Sequence, residues 1–279
     1  MKTGVFYHPL FHQKLWPIIA DKFRDFPGAM EHILALPNVE LFEPAEVSED
    51  LMLTVHTPQF IDSLREKWYS RGAFLSAGGC VEATEKMLSG ELRNSFVFSV
   101  AAGHHAGPSY AWGGTYLSCS GPAVANLRKK FGNQVKVAII DTDAHHGDGT
   151  RAIFSGDSQT LHGCFCSQNI REEEGKKFCV NVGGRCGDEK YLDFIRSHFI
   201  PAAEEFAPDI IIYLMGYDTC QGDYGDQGLT PSFFPQAVKE LKELAERVCQ
   251  GKISIFSMGG ARPDYASTII PEVIKVLAD

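Results

Sequence analysis

The densest chemistry in the chain lies in Asp141-Thr142-Asp143-Ala144-His145-His146-Gly147-Asp148-Gly149. A second knot, Gly103-His104-His105-Ala106, lies upstream, and Met215-Gly216-Tyr217-Asp218 follows a later apolar run. Carboxylates and imidazoles are ligands for divalent metals, and imidazoles also move protons near neutral pH. In an extended segment, residues two apart project to the same side. Asp143 and His145 therefore reach one pocket together, with Asp141 on their face. A catalytic zinc takes three protein ligands and keeps a position open for water. Asp143, His145 and Asp218 supply such a set and leave His104 and His105 to move protons. Water bound there would give hydroxide near neutral pH, which is the equipment of a metal-dependent hydrolase. An oxygen-rich set also suits ferrous iron or manganese.

Short apolar runs precede these segments: Val5–Tyr7, Val39–Phe42, Ser95–Val100, Val135–Ile140, Phe178–Val182, Ile210–Met215 and Ile253–Phe256. Their length and β-branched content predict strands buried on both faces. Helical composition covers Ala77–Leu88 and Gly121–Phe131, and a helical stripe runs through Tyr191, Leu192, Phe194, Ile195, His198 and Phe199. Thr230-Pro231 reads as a cap opening a helix that ends near Gly251. Ala266–Leu277 closes the chain as a helix, with Pro271 interrupting it or in its first turn. Alternation of strand and helix predicts an α/β fold with a mainly parallel sheet flanked by helices. His104-His105, Asp141–His145, Asp218 and Gly259-Gly260 each follow one of the predicted strands. Ligands of open α/β sheets bind outside the carboxyl ends of the strands, so these segments are expected to form one site.

The 279 residues, without repeat or low-complexity linker, read as a single domain over 1–279. A hydrophobic fraction of 44% and a charged fraction of 22% are ordinary for a globular chain. The formal net charge of -9 argues against nonspecific nucleic-acid binding and against an anionic membrane surface. No apolar stretch approaches a membrane span, and the N-terminal residues lack a signal peptide's apolar core. The eight cysteines lack paired CxxC spacing and read as reduced thiols of a cytoplasmic protein. Cys164-x-Cys166 alone is a weak metal signal.

The sequence resembles the histone deacetylase family within the wider arginase/deacetylase superfamily. The resemblance rests on His56-Thr57-Pro58-Gln59-Phe60-Ile61, Gly103–Ala106, Asp141–Thr150, Asp218 with Gly222-Asp223, and Gly228-Leu229-Thr230, in family order over nearly the whole chain. It implies that Asp143, His145 and Asp218 bind zinc and that His104 and His105 are tandem catalytic histidines. His105 would be the general base and later the acid, and Asp141 and Asp148 would orient the two imidazoles. It also implies a structural potassium ion near Asp141 and the backbone of Thr160 to His162. The implied reaction is hydrolysis of an N-acyl amide: an acyl-lysine, an acylpolyamine or a small-molecule amide.

The departures are informative. Where the family carries Gly-Gly-Tyr, this chain reads Gly259-Gly260-Ala261-Arg262-Pro263-Asp264-Tyr265, so the oxyanion-binding tyrosine is replaced by Ala261. Arg262 and Tyr265 are the candidates to replace it. Thr115 stands at an aromatic tunnel position, Phe165 is the candidate for a second wall, and Trp112 or Tyr110 could close the pocket. Asp62 and Glu66 read as a solvated helix face. Two other functions compete: an acyl-group-binding relative without turnover, and an arginase-like binuclear ureohydrolase. Cys220 argues against the second, because it stands where such an enzyme needs a carboxylate.

Overall fold

In a computed structural model that describes residues 1–13 and 15–279, the apolar runs form one nine-stranded sheet. The strands are β1 (Lys2–Phe6), β2 (Val39–Phe42), β3 (Leu92–Val97), β4 (Val137–Asp141), β5 (Thr160–Cys166), β6 (Ile170–Glu172), β7 (Lys177–Asn181), β8 (Ile210–Met215) and β9 (Ile253–Ser257). Their order is β2-β1-β3-β9-β8-β4-β5-β7-β6. Only the β6–β7 pair is antiparallel among the described residues. The expected α/β architecture is the one observed.

Every residue of β8 is buried, as a strand covered on both faces requires. Alternation sends Ile210, Ile212 and Leu214 into one core with Ala77 and Leu127, from helices Ser70–Leu88 and Ser120–Phe131. Ile211, Tyr213 and Met215 enter the other core with Leu241 and Ile270, from helices Phe233–Cys249 and Pro263–Ala278. Each such aliphatic side chain contributes about 1.5–3 kcal/mol relative to exposure. The two cores make the sheet a rigid platform for the loops at its carboxyl edge.

Differences from the sequence reading have local causes. The third run leaves the sheet at Val97, and Phe98 to Ala102 descend as buried loop towards His104. β5 escaped notice because His162, Gly163 and two cysteines break its apolar pattern. Thr230 does not cap the next helix. Its N–H and hydroxyl donate to Asp188 at 2.8 and 2.5 Å, and the helix begins at Phe233. Pro271 lies inside the last helix, whose first turn instead carries Pro263. Among the described residues, no helix is long and apolar enough to cross a membrane.

Candidate active site

Four neighbouring strands, β3, β9, β8 and β4, deliver the site from their carboxyl ends. Thr142 extends the β4–β8 ladder by donating its N–H to Leu214 O, and Asp143 N–H then donates to Asp141 Oδ1 at 3.1 Å. This turn presents Asp143 and His145 beside Asp218, so that one ligand atom from each lies within 4.8 Å of the others. Asp143 Oδ2 accepts from Gly259 N–H at 2.8 Å. His145 Nδ1 lies 2.9 Å from Asp143 Oδ1 and 3.1 Å from Asp218 Oδ2. The second approach lacks hydrogen-bond alignment, so Asp218 Oδ2 is buried without a partner. Burial and the charge of Asp143 push the Asp218 carboxyl up to about 7. The hydrogen bond to Asp143 and the adjacent Asp218 carboxylate pull His145 up to about 10. Two buried carboxylates, one with an orphaned oxygen, facing an accessible imidazole form a donor set that fits a divalent cation.

The paired histidines enter from the loop after β3. His104 Nδ1 lies 2.9 Å from Asp141 Oδ2, and its Nε2 lies 3.5 Å from Asp143 Oδ1. His105 Nδ1 lies 2.6 Å from Asp148 Oδ1, and the other Asp148 oxygen accepts from Trp112 Nε1 at 3.0 Å. The Trp112 ring stacks on His105 with centroids 3.9 Å apart. Burial opposes charge on both imidazoles. Around His104 the carboxylates of Asp143 and Asp141 outweigh it and raise the group to about 9. His105 falls to about 4, through burial and the neighbouring His104 charge. The environments thus drive the pair apart, favouring a protonated His104 beside a neutral His105.

These groups open into a cavity of about 400 Å³ walled by Ile18, Ile19, Trp112, Thr115 and Tyr224. No lysine or arginine lines it among the described residues. A larger cleft, about 670 Å³, includes Lys136, Gln159 and Lys176, which precede β4, β5 and β7. It lies at the amino ends of these strands and contains none of the groups above.

A profile of the histone deacetylase domain matches residues 69–277. The chain belongs to the histone deacetylase family. It is 28% identical over 265 residues to histone deacetylase 15 of Arabidopsis thaliana, an alignment covering 83% of this chain and 47% of that protein. It is 33% identical over 234 residues to histone deacetylase 5 of the same plant, covering 75% of this chain and 34% of that protein. A probable deacetylase of Archaeoglobus fulgidus is 28% identical over 258 residues, covering 82% of this chain and 71% of that protein. The chain thus spans less than half the length of these two plant relatives. The crystal structure of the HDA15 HD domain superposes with a TM-score of 0.85 at 23% identity, covering 100% of this chain and 89% of that one.

Against the family pattern, the structure places the two tyrosine substitutes outside the cavity. Arg262 forms a bidentate ion pair with Asp264 at 3.1 and 2.6 Å, and its guanidinium sits 4.2 Å from the Tyr265 ring centroid. Tyr265 donates its hydroxyl to Gln221 O at 2.7 Å. Both polar ends are engaged away from the reacting groups. Phe165 is not a wall either; it is fully buried in the core against Tyr191. Tyr110 is half-exposed against Gly107 and does not line the cavity, whereas Trp112 and Thr115 do. Asp62 and Glu66 are exposed.

Two residues of this neighbourhood, Tyr224 and Lys22, and one at the opposite edge of the sheet, Lys177, were not visible in the sequence reading. Tyr224, directly after Gly222-Asp223, lines the cavity beside His145, with ring centroids 5.8 Å apart, and its oxygen accepts from Gly260 N–H at 2.8 Å. Glycines make this approach possible. A Cβ on Gly259 would lie 2.4 Å from Asp143 Oδ2 and 2.7 Å from the Tyr224 oxygen, and Gly260 has φ +104°. Lys22 is fully buried, donates to Met258 O, and faces the charges of Asp143, Asp223 and Asp218; burial lowers it to about 8. Lys177 donates to Thr160 O at 2.6 Å and to Asp157 O at 3.0 Å. One carbonyl of the Thr160 to His162 backbone, that of Thr160, thus accepts from an ammonium of the chain's own.

Proposed function

We propose that the chain is a zinc-dependent deacylase that hydrolyses an N-acyl amide of an aliphatic amine, an acyl-lysine or an acylpolyamine. The observation that carries this reading is the meeting of the Asp143–His145–Asp218 group with two carboxylate-held histidines in one apolar-walled cavity. When bound, the metal would acidify water and polarise the acyl carbonyl. Asp148 holds His105 by Nδ1, which leaves Nε2 to take a proton from the attacking water. The same nitrogen returns that proton to the amine as the C–N bond breaks, giving a free amine and a carboxylic acid, which loses its proton to solvent. Asp141 holds His104 against Asp143, where an imidazolium offsets the negative charge of the pocket.

Tyr224 supplies the missing oxyanion donor. Its oxygen already accepts from Gly260 N–H, so its own proton is free to be given to the substrate carbonyl. Burial and the charges of Asp218 and Asp143 push the phenol well above its ordinary range, so it stays protonated and can donate. Ile18, Ile19 and Trp112 suit a methylene stem. No lysine or arginine lines the cavity among the described residues, and the imidazolium of His104 is matched by Asp141 and Asp143, which favours uncharged acyl groups over acidic ones.

The test is hydrolysis of acetyl-, longer acyl- and succinyl-lysine peptides and acetylated polyamines. Metal-free protein, zinc-restored protein and His105→Ala would be compared. The expected outcome is turnover of uncharged acyl groups that zinc restores and His105→Ala lowers by at least about a hundredfold. Undiminished turnover in His105→Ala, or tight binding without turnover across the panel, would sink the reading.

A further inference from the structure

Behind the catalytic loop, His146, Cys164, Cys166 and Cys179 converge, with one ligand atom from each within 4.8 Å of the others. The fold produces this meeting. Cys164 and Cys166 are two apart on β5 and share one face of the sheet. Cys179 of β7 is the register partner of Cys164. His146 arrives from the loop after β4, next to His145. The three sulfurs are buried and the imidazole is half-buried. His146 Nδ1 lies 3.3 Å from Cys179 Sγ and 3.9 Å from Cys166 Sγ. Tetrahedral zinc with ordinary Zn–S and Zn–N bonds separates sulfur from nitrogen by about 3.6 Å, between those two distances.

We propose that His146, Cys164, Cys166 and Cys179 form a second metal site, for a single zinc ion, separate from the Asp143–His145–Asp218 group. A disulfide would use two of the sulfurs and leave the third and the imidazole without purpose. A Cys₃His shell satisfies all four and has the closed composition of a structural site. Three thiolates around a divalent ion carry one net negative charge, and Arg151 answers it with Nη2 3.0 Å from Cys179 Sγ. His162, two residues before Cys164 on the same face, is fully buried with neither ring nitrogen partnered. Its unmet donor is a reserve for hydrogen bonding to a thiolate or to a ligand beside it.

The site would brace the catalytic loop. Gly147 N–H donates to Cys164 Sγ at 3.5 Å, and that sulfur lies 3.9 Å from His145 O. An ion there ties the segment carrying His145 and Asp148 to β5 and β7.

The experiment uses the full untagged chain, with zinc per chain measured by elemental analysis. Asp143→Ala/Asp218→Ala, which lacks the other metal group, should retain one zinc. Cys166→Ser/Cys179→Ser should lose that ion and unfold at lower temperature. Because either double variant could fail to fold, the wild type is also loaded with cobalt. A thiolate-to-cobalt charge-transfer band is expected, which an oxygen- and nitrogen-liganded ion cannot give. The proposal is overturned by a metal-free Asp143→Ala/Asp218→Ala protein that remains folded. It is also overturned by a cobalt-loaded wild type without that band, by an iron–sulfur chromophore, or by a disulfide within the cluster.

Discussion

Tyr224→Phe isolates one oxygen atom. The ring stays beside His145, so the cavity wall is kept. What disappears is the acceptor of the Gly260 N–H bond and the hydroxyl proton that the proposed mechanism gives to the substrate carbonyl. The first loss leaves a backbone donor short of a partner, which costs about 1–3 kcal/mol of stability. The second removes a preorganised donor to developing negative charge, which costs about a hundred- to a thousandfold in kcat, or 2.7–4 kcal/mol. Since that bond strengthens as the oxyanion forms, KM should move little. The assay is steady-state kinetics on an acetyl-lysine peptide with zinc content and thermal melting measured on the same preparations, so that misfolding and metal loss are seen separately. Arg262→Ala and Tyr265→Phe serve as controls. Their polar ends are bound to Asp264 and Gln221, so each should stay within about threefold of wild type, under roughly 0.7 kcal/mol. A folded, zinc-loaded Tyr224→Phe with kcat within about threefold of wild type would refute the assignment.

Two further outcomes follow from the same contacts. Trp112→Phe keeps the stack on His105 but removes the hydrogen bond to Asp148, which, with that from His105, outweighs burial and holds this carboxyl below its usual range. A pH–rate profile should show kcat/KM down about tenfold and the acid limb moved to higher pH; an unmoved limb would show that Asp148 does not govern it. His56 is buried between Gly107 O, 2.8 Å from Nδ1, and Ser118 N–H, which donates to Nε2, and burial lowers it to about 4. The unfolded chain protonates this histidine below about pH 6.5, whereas the folded chain does so only near pH 4. The unfolded state therefore binds more protons in that window, and stability falls as pH drops from 6.5 towards 4, by on the order of 3 kcal/mol from this group. Urea denaturation at pH 7 and pH 4.5 should show a smaller acid loss in His56→Gln than in wild type. Equal losses would remove His56 from the account, since the similarly buried His162 is common to both proteins.

The fold was legible wherever a strand was purely apolar. Ile210–Met215 was bounded correctly from composition because nothing but burial chose its residues. β5 was not legible, because its register carries chemistry: His162, Cys164 and Cys166 occupy one face in place of the branched aliphatics that mark a strand. The helix start at Thr230 failed for a related reason. A hydroxyl that could cap a helix can equally bond Asp188, 42 residues away, and only tertiary structure decides between them.

The candidate site divides along the same line. Asp141, Asp143, His145 and Asp148 lie within one short segment and meet by local backbone geometry, so their spacing carried the message. Tyr224 and Cys179 are different. Neither has a local pattern, and each matters only because a distant backbone brings it to a place already defined by others: Gly260 N–H for the tyrosine, the β5 register for the cysteine. The signal that could have found Tyr224 was the loss itself. With Ala261 at the position where the resemblance expects a tyrosine, the proposed replacement comes from another loop at the same sheet edge. The segment after β8 is the nearest, because β8 and β9 are adjacent strands. The proposed role of Tyr224 sends the search for such a group across the sheet, to loops of neighbouring strands, as well as along the chain to Arg262 and Tyr265. Those two begin the last helix, where Arg262 pairs with Asp264 in the first turn and Tyr265 reaches Gln221 in the loop after β8.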